Sequence, residues 1–164
     1  MLRLSLGGRL ALGPGRQAQI MGLLFAADRL DHLAQEIEPH LREGAVVLSD
    51  RYDLSSVAYQ WASAGEGAPA ELATWLRDLN RYARRPDATV VIDVSAETAA
   101  LRRKERHGAV ELYEQPELQA RLVNLYRDAE ALMPDDNVLH LDGNQGVDEV
   151  TAAVIEALAP YAES

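Results

Sequence analysis

At 164 residues, 48% hydrophobic and 26% charged, the chain has the size and composition of one globular domain with a real core, and two independent domains would be a stretch. Its formal net charge of -10 excludes a nucleic-acid backbone or an anionic membrane as an expected partner, since both select basic surfaces. Without cysteine there is neither a disulfide framework nor a thiolate metal site, which fits a cytoplasmic location, and no apolar run approaches the length of a membrane span.

The opening segment MLRLSLGGRLALGPGRQAQ holds Arg3, Arg9 and Arg16 with no acid before Asp28, a bias shared with transit peptides. One serine and no cleavage-like site argue against that reading. Two glycine patterns lie here. Gly8 and Gly13 bracket GRLALG like the start of a phosphate-binding loop, but Pro14 and Gly15 stand where Lys and Ser or Thr are required. Gly13, Gly15 and Ala18 imitate a dinucleotide fingerprint with no convincing strand before them. Both are decoys.

From Ile20, apolar residues recur at steps of three and four through Leu23, Ala27, Leu30, Ala34, Ile37 and Leu41, predicting an amphipathic helix whose core stripe they form. Gly44 ends it as a C-cap. A continuous apolar run over 45–48 then predicts a strand, as do 88–94 and 138–142. Helical patterns occupy 53–64, 70–84, 96–106, 116–132 and 147–161, with Pro86, Pro116 and Pro134 between elements. Strands alternating with helices predict α/β layers around a parallel sheet, in one domain over 1–164.

In such sheets ligands bind at the carboxyl ends of strands, which is where LSDRYDLSSVAYQ falls. Asp50 is placed to hold a metal-bound water and Arg51 to fork onto a phosphate. The plainer alternative is that Asp50 caps the next helix and Arg51 pairs with it at the surface. Upstream, LLFAADR puts Phe25, the only phenylalanine, one helical turn before Arg29, on a face that includes His32 and Glu36 and is offset from the core stripe. A ring beside a guanidinium suits a nucleobase with carbonyl acceptors; a ring that only widens the core stripe is the other reading.

LLFAADR, then a helix, then SDRYDLSSVAYQ, then RRPDATVVIDVSAETAALRR resembles the thymidylate kinase family, P-loop enzymes that phosphorylate dTMP, in consistent order from about Leu4 to the C-terminus. The resemblance implies a three-layer α/β/α kinase-like parallel sheet, dTMP and ATP as substrates, Mg²⁺ as cofactor, and a homodimer. It implies that Phe25 stacks on thymine and Arg29 donates to a base carbonyl. Arg51 would clamp the dTMP phosphate, and Asp50 would organise the acceptor and Mg²⁺ through water. Ser56, Tyr59 and Gln60 would line the base and sugar pocket, with Tyr59 crowding out a ribose 2'-hydroxyl.

The departures are as informative. A kinase of this class needs Gly-x-x-x-x-Gly-Lys-Ser/Thr after its first strand, whereas this chain has a single lysine, Lys104, and no such loop. In LRRKERHGAVELYEQ, which resembles the family's mobile basic lid, Arg103 matches while His107 and Leu112 stand where bacterial relatives carry arginine. Arg106, one position away, is the substitute; Arg103 and Arg106 are thus the candidate charge-stabilising arginines, and a solvated basic helix end is the alternative. The first strand in the family lies between those matching 45–49 and 88–94. Its absence would strand ladder groups at roughly 1 to 3 kcal/mol for each buried one. The expectation is therefore an N-terminally shortened kinase lacking its first strands and P-loop, or else a catalytically inactive pyrimidine-nucleotide-binding or regulatory homologue. DGNQG over 142–146, after the last strand, is read as a plain turn.

Overall fold

The computed structural model describes residues 15–65, 67–105 and 116–162. Helix α1 (Gln17–His32) runs through a π-helical turn (Leu33–Ile37) into the short α2 (Glu38–Arg42). Gly44, with φ +81°, then turns the chain in a left-handed conformation that glycine adopts without a Cβ clash, as the sequence implied. α3 (Asp53–Ser63) and α4 (Ala70–Leu79) follow, then β1 (Thr89–Asp93), α5 (Ala96–Glu105), α6 (Pro116–Arg127), α7 (Ala129–Leu132), β2 (Val138–Asp142) and α8 (Val147–Ala162).

β1 and β2 pair in parallel, from Thr89 opposite Val138 to Asp93 opposite Asp142. Both are the β-branched runs that the sequence marks as strands. Just past them Gly143 donates its N–H to the Asp93 carbonyl at 2.7 Å, and a Cβ at Gly143 would lie 2.4 Å from Ile92 Cγ2, so only glycine permits this close approach. The core is built around α3: Leu54, Val57, Ala58 and Ala62 pack with Leu72 and Leu76 of α4, Leu118 and Leu122 of α6, and Val91 of β1.

Three expectations change. The run over 45–49 has no regular secondary structure and joins no ladder among the described residues, and Val46 and Leu48 are 60% and 75% exposed. A strand is defined by its neighbour, and β-branched sequence alone does not supply one. The described strands therefore form a two-stranded parallel sheet, smaller than the three-layer architecture expected.

Second, the stripe of α1 is rotated. Leu23 and Leu30 are 51% and 40% exposed, while Ala18, Met21, Gly22 and Ala26 are buried, continued by Leu33 and Ile37. Periodicity reading favours bulky residues, but the helix turns Met21 inward together with small ones, and at Gly22 α4 comes close: a Cβ there would lie 2.6 Å from Leu76 Cδ2. The π-helical turn adds a residue to the repeat and carries the buried stripe on to Leu33 and Ile37. Third, two long helices are shorter than their patterns. α4 stops at Asn80 (φ -100°, ψ 7°), and the helix over 116–132 breaks at Asp128 (φ -103°, ψ 35°).

Candidate functional site: a pocket between α1 and the start of α3

Where the exposed segment 48–51 enters α3 it faces α1 across a pocket of about 370 Å³. Phe25, Arg29, Asp50, Arg51, Ser56, Tyr59 and Gln60 all line it, so residues separated by up to 35 positions in sequence are brought to one cavity. Asp28, His32, Ser49, Tyr52 and Ser55 complete its wall. The side chain of Arg103 and the whole of Arg106 lie outside the described residues.

Helical spacing explains the convergence. Phe25, Arg29 and His32 recur at steps of four and three on α1, while Tyr59 and Gln60 follow Ser56 by three and four residues on α3. Arg29 is the most constrained group. Its Nη2 donates to Ser56 Oγ at 2.8 Å, its Nη1 donates to Asn80 Oδ1, and its guanidinium lies 5.0 Å above the Tyr52 ring. Burial lowers its pKa from the usual arginine value, with the field of Asp53 opposing.

Arg51 is held differently. It is the only non-glycine residue with positive φ (71°) among the described residues. Ser49 Oγ donates to the Arg51 carbonyl at 2.9 Å, and the guanidinium stacks 4.9 Å from the Tyr59 ring. Burial acts to lower its pKa, but contacts with Tyr59 and the fields of Tyr126 and Asp50 outweigh this and raise it, so it is a fixed cation. Asp50 is exposed beside it. The helix-capping alternative fails, because the N-cap of α3 is Tyr52 and no side-chain cap bond is made there; nor do Asp50 and Arg51 form an ion pair among the described residues. Neither charge is spent on the other, and Arg51 instead lies on Tyr59.

Sequence reasoning missed the residues that support these. Tyr52 stood inside the motif, and its hydroxyl donates to the Arg84 carbonyl at 3.0 Å. Tyr126 of α6 meets Ser55 at 2.8 Å, and burial raises its pKa. Arg85 bridges Asp53 and Asp136, whose side chains are each 2% exposed. Asn80 reaches Arg29 from the end of α4. No local pattern marks Asn80, Tyr126 or the Arg85 bridge; an acid at the first position of α3 was the one visible hint.

A parallel-sheet α/β domain with an aromatic ring, two oriented arginines and hydroxyls around one cavity has the features of a nucleotide-binding domain. The chain belongs to the thymidylate kinase family, whose model it matches over residues 13–154. It is similar to a probable thymidylate kinase of Thermococcus gammatolerans, 37% identical over 141 residues that cover 80% of this chain and 65% of the relative. A second, of Thermococcus kodakarensis, is 35% identical over 160 residues, covering 92% of this chain and 75% of the relative. A third, of Staphylothermus marinus, is 46% identical over 89 residues, 54% of this chain and 42% of the relative. The chain thus spans less than two thirds of the Thermococcus gammatolerans and Staphylothermus marinus relatives, 65% and 42% of their lengths. The family is one of nucleotide-binding kinases, and so of transferases. No described helix is long and apolar enough to cross a membrane.

Proposed function

We propose that the pocket binds dTMP and that the chain is the acceptor-side part of a cytoplasmic, homodimeric kinase transferring the γ-phosphoryl group of ATP to dTMP. The observation that carries this is the convergence of Phe25, Arg29, Arg51, Ser56, Tyr59 and Gln60 on one cavity of about 370 Å³. Phe25 offers a ring for thymine to stack on, and Arg29 donors for a base carbonyl. Ser56 and Gln60 line the base and sugar, and Tyr59 fills the space a 2'-hydroxyl would need. Arg51 grips the phosphate, one of whose oxygens attacks the γ-phosphorus of ATP as the bond to the β-phosphate oxygen breaks, giving dTDP and ADP.

A magnesium ion fits the donor set only loosely. Among the described residues no three carboxylates or histidines cluster to hold a metal, but Mg²⁺ often binds through one carboxylate, waters and substrate phosphates. Asp50, exposed at the rim, would hold it through water, and the ion when bound neutralises phosphate charge. Arg103 and Arg106 are the proposed lid arginines.

The donor loop is proposed to come from sequence outside these 164 residues. The chain contains no Gly-x-x-x-x-Gly-Lys-Ser/Thr, and the unladdered segment 45–49 supports a strand supplied beside it. In-frame translation upstream of Met1 should reveal that loop, and the extended protein should form dTDP from dTMP and ATP. The single lysine, Lys104, favours a second reading, a binding homologue without transfer. Tight dTMP binding with no turnover by the extended protein would establish it.

A further inference from the structure

The guanidinium of Arg29 is largely buried, yet among the described residues no carboxylate pairs with it. Its partners are neutral: Ser56 Oγ at 2.8 Å, the Tyr52 ring at 5.0 Å and the Asn80 amide oxygen. Asn80 is 4% exposed, and its own orientation is fixed from behind, because Nδ2 donates to the Leu76 carbonyl at 2.8 Å. With the NH₂ committed to a carbonyl, only the oxygen can face Arg29. Asn80 also sits where α4 ends, so the helix terminus is anchored through its backbone N–H to the Arg77 carbonyl at 2.9 Å.

From this geometry we infer that Asn80 is a positioning residue that holds Arg29 in its ligand-reading orientation without neutralising it, which deepens and rests on the proposed role of Arg29 in reading the base. A flexible arginine loses rotamer freedom on binding; one already fixed on two faces does not. A carboxylate at position 80 would offer Arg29 an acceptor in the same place, so it is the acceptor, rather than the whole amide, that fixes the guanidinium. Ser56 and Asn80 occupy one N–H on each terminal nitrogen and so set the plane of the guanidinium, leaving its other donors to the pocket.

The test is a double-mutant cycle on dTMP affinity, measured by titration calorimetry on the 164-residue chain. Asn80→Ala should weaken binding roughly tenfold or more, as expected when a contact group is misplaced, but should change it less than about twofold in an Arg29→Ala background. Asn80→Asp loses the bond to Leu76 as alanine does yet keeps an acceptor for Arg29, so it should recover most of the affinity. If Asn80→Asp binds as poorly as Asn80→Ala, or if the loss persists without Arg29, Asn80 serves only the end of α4 and the inference falls. Should Asn80→Ala not fold, Asn80→Leu, which removes the acceptor at nearly the same volume, takes its place: roughly tenfold weaker binding, an effect that vanishes in the Arg29→Ala background, sustains the inference, and parent-like binding overturns it. Loss of dTMP binding by Arg29→Ala with intact binding by Asn80→Ala would overturn the role of Asn80 while leaving the pocket reading standing. No dTMP binding by the parent chain would overturn both.

Discussion

Arg51 sits at φ 71°, in a region that costs a side-chain-bearing residue about 1 to 2 kcal/mol. Such strain persists only where the surroundings impose it, and here Ser49 holds the carbonyl while Tyr59 holds the guanidinium. If the strain serves ligand binding, stability and binding should separate. Arg51→Gly should leave thermal stability unchanged or raise it by up to about 1 kcal/mol while abolishing measurable dTMP affinity. Arg51→Ala should abolish affinity without the gain, because the strained backbone remains. Melting curves and calorimetry on the two variants check the pair, and a Gly variant that melts well below the parent would show that the contacts of Arg51 outweigh its strain.

Elements depend on how their faces meet. α1 buries Met21 along with Ala18, Gly22 and Ala26 and exposes Leu23 and Leu30, and its approach to α4 is set at Gly22. Gly22→Ala raises helix propensity by about 1 kcal/mol, yet its Cβ would sit 2.6 Å from Leu76 Cδ2. Because the end of a leucine side chain yields part of the way, net destabilisation of about 1 kcal/mol is expected by denaturant titration. Leu76→Ala in the same chain should make the glycine substitution tolerable.

The sheet gives a second prediction at this scale. His140 of β2 lies 2.7 Å from Asp93 of β1 and 3.4 Å from Glu130 of α7. Burial acts to lower its pKa, but the bond and charge of Asp93, with Glu130 adding, outweigh it and raise the pKa above the ordinary 6.5. A raised folded-state pKa means stability fully present below about pH 6.5 and lost as pH rises through the raised value. Melting temperatures of the parent and His140→Gln should therefore differ most in mildly acidic solution and converge at higher pH. A gap that widens with pH would reverse the assignment.

At the scale of the whole molecule, sequence and structure agree where the signal is local. β2 over 138–142, β1 within 88–94 and α3 within 53–64 are legible because continuous apolar runs and a 3.6-residue period are short-range patterns. Phe25, Arg29 and the 50–60 motif could be read as one set because their resemblance to a family joined them; periodicity alone would have placed them on separate elements. The phase of α1 and the isolation of 45–49 were not legible, since each depends on what lies opposite.

Least legible of all is the bridge through Arg85, which is 32 and 51 positions from the carboxylates it joins. It fastens the first residue of α3, beside the pocket, to the chain just before β1 and just before β2. Asp53 and Asp136 are each only 2% exposed at the side chain, so removing the cation leaves two buried carboxylates facing one another. Breaking a buried pair costs about 3 to 5 kcal/mol; with Arg85 39% exposed, water can enter, and Arg85→Ala should cost about 3 kcal/mol by denaturant titration. Combining it with Asp53→Asn and Asp136→Asn removes the unpaired charges and should restore part of that loss, which simple additivity of three damaging changes would not give. Because the bridge anchors α3 one residue from Tyr52 and two from Arg51, the single variant should also weaken dTMP binding, and the triple variant should regain affinity in step with stability.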